Sequence, residues 1–206
     1  MTDPSQAIID EFWNWFQLRE PQFGRLVRPE DSFWEIARQK LQSFHNDLSF
    51  ELSDPCEAGR EFVITAQGNS ALFALVDAIV ARAPKLRGWR FIALKPAMGF
   101  DFVTEYETIR FDPRSMWFLP LESSTRPDCL GLLIGIPNFR PEMKQATTNA
   151  VYVILDTALG ERSASEDIQH VAVGPLPAHP EAEGYIHLHE LPDFMSFHKR
   201  HFAPPK

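Results

Sequence analysis

The chain contains little cysteine, and this excludes whole classes of protein. Only Cys56 and Cys129 occur among its 206 residues. They do not form a CxxC pair, and two cysteines are too few for the disulfide framework of a small secreted scaffold. A low cysteine content fits the reducing cytoplasm, so we expect a cytoplasmic protein.

Long hydrophobic runs are also missing. The longest apolar stretch, LGLLIGI, is far shorter than the ~20 residues that cross a bilayer. The start of the sequence, MTDPSQAIIDEF, is acidic and lacks the basic and apolar regions of a signal peptide. We therefore expect no transmembrane segment, no signal peptide and no membrane partner.

Positive charge is scarce. The formal net charge is −8 at pH 7 and the isoelectric point is about 5.4. Such a surplus of negative charge opposes binding to nucleic acids and favours a basic protein partner, although acidity also serves solubility alone. We expect no nucleic-acid partner.

The common catalytic motifs are absent as well. The sequence contains no GxGxxG or Walker phosphate loop, no GxSxG elbow, and no recognisable thiol-nucleophile signature around either cysteine. These absences argue against the commonest enzyme classes, and no cofactor is predicted.

What the sequence does contain is the composition of an ordinary globular protein, with 44% hydrophobic and 23% charged residues and as many as 17 Phe and 5 Trp. Helices are predicted over residues 4–19, where Asp3 is a candidate N-cap, and over 32–46. In the first helix the segment FWNWF places four rings on one broad face, which is either a binding surface or a packing face. Since large rings contribute most to burial, we favour packing.

The rest of the chain alternates between strand and helix periodicity. Two β-β-α-β units are predicted, in residues 48–96 and 115–190, and a short helix ends the chain. We expect REFVITA to pair in parallel with GWRFIAL, and CLGLLIGI with IQHVAV. The fold class is α+β, with a mixed sheet built from the two units as in a ferredoxin-like or related duplicated plait. Because no linker is evident, we expect a single domain over 1–206.

Two segments carry a resemblance to known sequences. ITAQGNSALFALVDAIVARAPKLRGWRFIALKP, together with ILDTALGE, resembles a family of uncharacterised bacterial α+β proteins. The resemblance implies a cytoplasmic bacterial protein. It brings no catalytic or binding residues to this chain.

The best candidates for catalysis are two carboxylates in FVTEYETIRF. If this segment is one strand, Glu105 and Glu107 share a face, and neighbouring carboxylates can separate their pKa values for acid–base work. The alternative is a solvated strand near a sheet edge, where charges discourage unwanted pairing, and we favour it.

Basic side chains surround one tryptophan: Lys85, Arg87 and Arg90 lie next to Trp89. Arginines beside an aromatic ring can stack on bases or bind anions. However, Lys85 follows the end of a helix, where positive charge complements the dipole, and the chain as a whole is acidic. These four residues are therefore only candidates for a binding patch.

Histidines are concentrated near the C-terminus. His187 and His189 alternate on a predicted strand, YIHLHEL, while His198 and His201 lie three apart on the terminal helix. Four imidazoles that converged would suit zinc. The positions of these histidines have a simpler explanation. His187 and His189 would lie on a solvent-exposed strand face, and His201 would lie at the helix C-terminus, where positive charge is favoured, so we predict no metal site.

These observations favour a non-catalytic cytoplasmic protein that binds or regulates an unidentified partner. An immunity-like protein that neutralises a basic toxin is one specific form. The alternative is a small hydrolase that uses Glu105 and Glu107.

Overall fold

The computed structural model describes residues 4–26, 32–57, 59–107, 109–121 and 130–202. Asp3 and Cys129 lie outside these ranges. Contacts divide the chain into two compact units, Met1–Lys95 (unit 1) and Pro96–Lys206 (unit 2), and each has its own sheet and hydrophobic core. The single domain over 1–206 stays a prediction.

The first helix of unit 1, α1, spans Pro4–Arg25 and so continues well beyond its predicted end at residue 19. It does so although Pro21 removes a main-chain hydrogen bond inside it. The last turn is held by packing, since the ring of Phe23 is fully buried and lies 5.6 Å from that of Phe62, which is distant in sequence. Tertiary contacts thus outweigh the local preference against proline.

Unit 1 has two further helices, and the first of them is shorter than predicted. α2 spans Ser32–Gln42 and not 32–46, while α3 spans Phe73–Ala81 after a 3₁₀ turn at Ser70–Leu72.

Most of the rings of FWNWF are buried, as the packing interpretation predicts. Phe12, Trp13 and Phe16 lie in the core of unit 1, Trp15 is half-buried, and Asn14 is exposed.

The sheet of unit 1 has three strands, in the order β1-β2-β3. β1 and β2 form an antiparallel hairpin, and β2 pairs in parallel with β3 through the crossover of α3. One face carries the aromatic and aliphatic side chains that pack against the helices, and the hairpin and crossover therefore enclose one core. The strands are β1 (Ser49–Leu52), β2 (Arg60–Thr65) and β3 (Trp89–Ala93).

Unit 2 contains a two-stranded hairpin and a four-stranded sheet. The hairpin pairs β4 (Thr104–Tyr106) with β5 (Ile109–Phe111). The sheet has the order β8-β7-β6-β9 and consists of β6 (Trp117–Leu121), β7 (Leu130–Ile136), β8 (Ile168–Pro175) and β9 (Ile186–His187). Its helices are α4 (Lys144–Leu159), α5 (Glu161–Glu166) and α6 (Leu191–Phe202).

The α+β class and the repeated topology are confirmed. In unit 2, β6 and β7 are antiparallel, and β7 pairs in parallel with β8 through α4, which repeats the β1-β2-α3-β3 order of unit 1. Both predicted parallel pairs are therefore present. The two repeats build separate sheets, and the ferredoxin-like arrangement is not confirmed.

The repeat extends to the loop that leaves the central strand. β2 ends at Thr65 and β7 ends at Ile136. Two positions later each backbone enters the left-handed region, at Gln67 (φ 52°) and at Asn138 (φ 54°). Because this conformation is uncommon for residues other than glycine, its recurrence at the same position supports a duplicated unit.

The turn that follows is repeated too. Asn69 and Arg140 occupy the cap position of a three-residue 3₁₀ turn, and α3 and α4 begin directly after it. The main-chain N–H of Leu72 donates to the carbonyl of Asn69 (3.0 Å), and that of Met143 donates to the carbonyl of Arg140 (2.9 Å). The two units thus enter their crossover helices in the same way, with Asn in one and Arg in the other.

Two predicted strands are wrong. FVTEYETIRF is not one strand, because Glu107 (φ 47°) turns the chain between β4 and β5. YIHLHEL is a strand only over Ile186–His187, and Leu188–Glu190 forms a 3₁₀ turn that leads into α6. Short runs of alternating polarity fit a hairpin or a turn as well as they fit a strand. Within the described ranges no helix is both long and apolar enough to cross a membrane.

Candidate functional site

Unit 2 contains a cleft of about 260 Å³ beyond the carboxyl end of β7, where the chain leaves the sheet for α4. Open sheets with parallel strands commonly bind ligands at this position. Three segments build the cleft: β5 with the turn after it, the loop between β7 and α4, and the start of α4. The apolar lining residues are Ile109, Phe111, Met116, Ile136, Pro137, Phe139 and Met143, and the polar ones are Arg110, Asp112, Ser115, Asn138, Arg140 and Thr147.

The turn after β5 fixes one wall through Asp112. Its carboxylate accepts hydrogen bonds from the main-chain N–H of Arg114 (3.1 Å) and from the Nε and Nη2 groups of the same residue (2.9 Å each). These hydrogen bonds from Arg114 lower the pKa of Asp112, against the opposing effect of burial. Asp112, the only carboxyl group among the described lining residues, is therefore ionised at neutral pH and already bound to an arginine.

The loop between β7 and α4 forms the opposite wall. Asn138 adopts φ 54°, a conformation that asparagine tolerates better than most residues. After this reversal Phe139 packs against the core of unit 2, while Arg140 stays exposed at the cleft. The left-handed turn thus places an apolar ring and a guanidinium side by side in the lining.

Two arginines line the cleft, Arg110 on β5 and Arg140, and both are exposed. Among the described residues neither forms a salt bridge, although the charge of Arg110 acts on the nearby Asp112 carboxylate. Glu105 lies opposite Arg110 in the β4–β5 register, but the two side chains form no salt bridge. The cleft therefore presents positive charge although the chain as a whole is acidic.

A threonine hydroxyl also belongs to the lining. Thr147 lies in the first turns of α4 and is only 4% exposed. Among the described residues no hydrogen-bond partner accompanies its hydroxyl, whereas the neighbouring Thr148 donates to the carbonyl of Lys144. The hydroxyl oxygen is not among the fully buried unpartnered atoms of the described residues, so it is open to the cleft, where water or a ligand can reach it.

Glu105 and Glu107, the predicted catalytic carboxylates, do not form a site. Glu105 lies in β4, but Glu107 lies in the turn after it, so the shared strand face does not exist. Both side chains are exposed and neither lines the cleft.

The predicted binding patch of Lys85, Arg87, Trp89 and Arg90 does not present a free tryptophan ring flanked by free arginines. Trp89 lies in β3, where its Nε1–H donates to the Glu20 carboxylate (2.9 Å) and its ring contacts Phe16. Arg90 forms an ion pair with Glu61 (2.5 Å). Lys85 and Arg87 are exposed before β3. Half of the predicted patch is thus engaged within unit 1.

The four C-terminal histidines contact different rings. The ring of His187 lies 3.6 Å from that of Trp117 and 5.3 Å from that of His189, which belongs to the 3₁₀ turn. His201 packs on Phe197, and its Nδ1 lies 2.9 Å from the carbonyl of that residue. His198 lies on the same helix, α6.

Within the described ranges, no three or more His, Cys, Asp or Glu side chains come together as metal ligands would. The absence of a native metal site stays a prediction.

Comparison with protein-family models, with curated proteins and with solved structures found no match to this chain. The resemblance to a family of uncharacterised bacterial proteins stays a prediction.

The cleft was not predicted from the sequence, because its residues come from segments that are far apart in the chain. One local signal was available. In IPNFRPEMK a strand leads into a helix without any Ser, Thr, Asp or Asn at the cap position, which is held by Arg140. A helix start of this kind leaves donors free, and a cationic side chain there is unusual for a cap.

Proposed function

We propose that this chain is a non-catalytic binding or regulatory protein, and that the cleft of unit 2 is its binding site. The observation that carries the proposal is the composition of the cleft, which combines apolar side chains with a few polar ones, among them Arg140 and Thr147, for which the described residues provide no hydrogen-bond partner. Small-molecule sites have this composition, in which the apolar part supplies affinity and the polar groups fix orientation.

The lining supports binding rather than catalysis. Asp112, whose carboxyl group is the only one in the described part of the lining, is bound by Arg114. Ser115 donates to the main-chain carbonyl of Asp112 (2.8 Å), and the lining residues that the structure describes include no histidine, cysteine or lysine to activate it. The hydrolase that would use Glu105 and Glu107 finds no support in their exposed positions outside the cleft.

A substitution that fills the cleft tests this proposal. Ser115 is exposed at the cleft, so Ser115→Trp should occupy the space without disturbing the core. Ser196 is exposed on α6, outside the lining, and Ser196→Trp is the matched control. We expect fragments that bind the wild-type protein, detected by ligand-observed NMR, to bind the Ser196→Trp variant but not the Ser115→Trp variant. Equal binding to both variants would contradict the proposal.

A basic protein partner is a second proposal, and a cytoplasmic location fits it. It is supported by charge, since unit 2 carries fifteen acidic and nine basic side chains. The test is whether a neighbouring gene encodes a basic toxin that binds the purified chain in a complex that salt dissociates. A partner without such a basic surface, or binding insensitive to salt, would count against the immunity-like form.

A further inference from the structure

The two repeated loops differ in one respect that bears on ligand binding. In unit 1 the side chain of Asn69 caps its own turn, since its Oδ1 accepts from the N–H of Ala71 (3.2 Å). In unit 2 the same position holds Arg140, and no side chain caps the turn or the start of α4. The turn of unit 2 therefore lacks the side-chain acceptor that unit 1 supplies, and the position of that acceptor is occupied by a cation instead.

The charges of the cleft favour an anion. Arg110 and Arg140 both line the cleft without a salt bridge among the described residues, and Asp112, which Arg110 attracts only through its charge, is already bound by Arg114. Glu142, in the same turn, carries a negative charge but does not line the cleft. A guanidinium matches a carboxylate in shape and forms strong charge-assisted hydrogen bonds with it.

A third donor lies deeper in the cleft. The hydroxyl of Thr147 has no partner among the described residues, and the side chain is almost fully buried. It lies on α4 one turn after Met143, so it belongs to the same helix start that lacks a cap. A bound oxygen atom would satisfy this hydroxyl.

The apolar lining residues indicate what the rest of the ligand, apart from its anionic group, must be. Phe111, Met116 and Ile136 are buried, and Phe139 and Met143 are half-buried. A volume of about 260 Å³ lies just below the ~300 Å³ at which pockets begin to accept drug-sized ligands. The space therefore suits one ring or a short branched chain, and an inorganic anion would leave the apolar wall uncovered.

From these observations we propose that the cleft binds a small organic carboxylate with an apolar body, held between Arg110 and Arg140 with Thr147 as a further donor. The inference rests on the proposed function of the cleft as a binding site. It adds the chemical class of the ligand.

The test uses the full chain and compounds that separate the two halves of the ligand. Benzoate and 3-methylbutanoate carry both halves, benzyl alcohol carries the ring without the charge, and inorganic phosphate carries charge without an apolar body. We expect calorimetry to give an affinity for at least one carboxylate that is roughly tenfold or more above those for benzyl alcohol and phosphate, because only the carboxylate engages both the arginines and the apolar wall.

Three variants assign the donors. Arg110→Gln and Arg140→Gln should each weaken carboxylate binding about tenfold, since each removes a charge-assisted hydrogen bond. Thr147→Val should weaken it while leaving the protein at least as stable, because the hydroxyl that it removes has no partner in the unbound chain. Arg200 is exposed on α6 outside the cleft, and Arg200→Gln should bind as the wild type does.

The outcomes distinguish failure of this inference from failure of the proposed function. If benzyl alcohol binds as tightly as benzoate and the arginine variants bind as the wild type does, the ligand need not be an anion, but the cleft remains a binding site. If phosphate binds as tightly as either carboxylate, the claim that the ligand has an apolar body is wrong. If neither carboxylate binds, the inference is overturned. If, in addition, no fragment distinguishes Ser115→Trp from Ser196→Trp, the proposed function fails as well.

Discussion

The guanidinium of Arg60 donates a hydrogen bond to the main-chain carbonyl of Phe23, which lies in the last turn of α1. It also donates to the carbonyl of Leu26, just beyond the helix, and to that of Ser53 (2.8 Å). Arg60 is only 6% exposed, and burial lowers the pKa of its guanidinium from the ordinary value. One buried cation thus satisfies carbonyls at the end of α1 and complements the negative end of its dipole.

We predict that Arg60→Met destabilises the protein by about 3 kcal/mol or more, since charged hydrogen bonds contribute about 1.5–3 kcal/mol each and their loss leaves buried carbonyls without partners. Arg60→Lys should cost less, because it keeps the charge. Urea unfolding followed by circular dichroism measures both. The control is Arg87→Met, at an exposed site, which should stay within about 0.5 kcal/mol of the wild type. If Arg60→Met behaved like the control, Arg60 would not stabilise the end of α1.

The aromatic face of α1 allows a graded prediction. Trp13 is 3% exposed, and its Nε1–H donates to the carbonyl of Ile79 (2.7 Å), whereas Trp15 is half-buried. Trp13→Ala should therefore cost about 3–5 kcal/mol of unfolding free energy. Trp15→Ala should cost less, about 1–3 kcal/mol, because less of its ring is removed from water.

Thermal and urea unfolding measure this difference. Leu18, on the same helix but 80% exposed, provides the control, and Leu18→Ala should stay within about 0.5 kcal/mol of the wild type. Unchanged stability of the tryptophan variants, together with lost binding to a partner, would make this face a binding surface.

The class and topology were predictable because each crossover helix carries an apolar stripe and lies between apolar strands. The length of α1 was not, because it depends on the packing of Phe23 against residues distant in sequence. The turn at Glu107 could not be predicted either, because polar and apolar residues alternate in a hairpin as they do in a single strand. The repeat of the loops at Gln67 and Asn138 is one of backbone conformation, which these two different sequences do not reveal.

Stability in acid should depend on Asp112. Its pKa is lowered by the hydrogen bonds from Arg114, so the ionised form is favoured in the folded state. The resulting stabilisation is complete above the unfolded-state pKa of about 4 and is lost as the pH falls through the lower folded-state value. We predict that Asp112→Asn reduces the fall in unfolding free energy between roughly pH 5 and pH 2.

Urea midpoints at pH 7, 4 and 3 measure this effect. Asp101 also contacts Arg114, but at 3.2 Å and with a side chain that is 92% exposed, so Asp101→Asn is a close control. It should change the pH dependence less than Asp112→Asn does. The same acid profile in the wild type and the Asp112→Asn variant would show that this ion pair does not contribute to stability.

Two glycines beside the parallel pair of unit 1 should respond differently to the same substitution. Gly59 precedes β2 and Gly88 precedes β3, and both have positive φ, at 109° and 79°. A Cβ atom at residue 59 would lie 2.5 Å from the main-chain oxygen of Gly88, while one at residue 88 would have no atom within 4 Å. The N–H of Arg60 donates to that same oxygen (2.8 Å), so the contact cannot be relieved without disturbing the strand pair.

Gly88→Ala should therefore cost only the backbone strain of a left-handed alanine, about 1–2 kcal/mol. Gly59→Ala should cost about 3 kcal/mol or more, because the overlap with main-chain atoms adds to the strain. Urea unfolding of the two variants side by side measures the difference, and each variant serves as the control for the other. Equal costs would mean that the chain before β2 moves away from Gly88 at little expense, and in that case the close approach of these two glycines would not fix the register of β2 against β3.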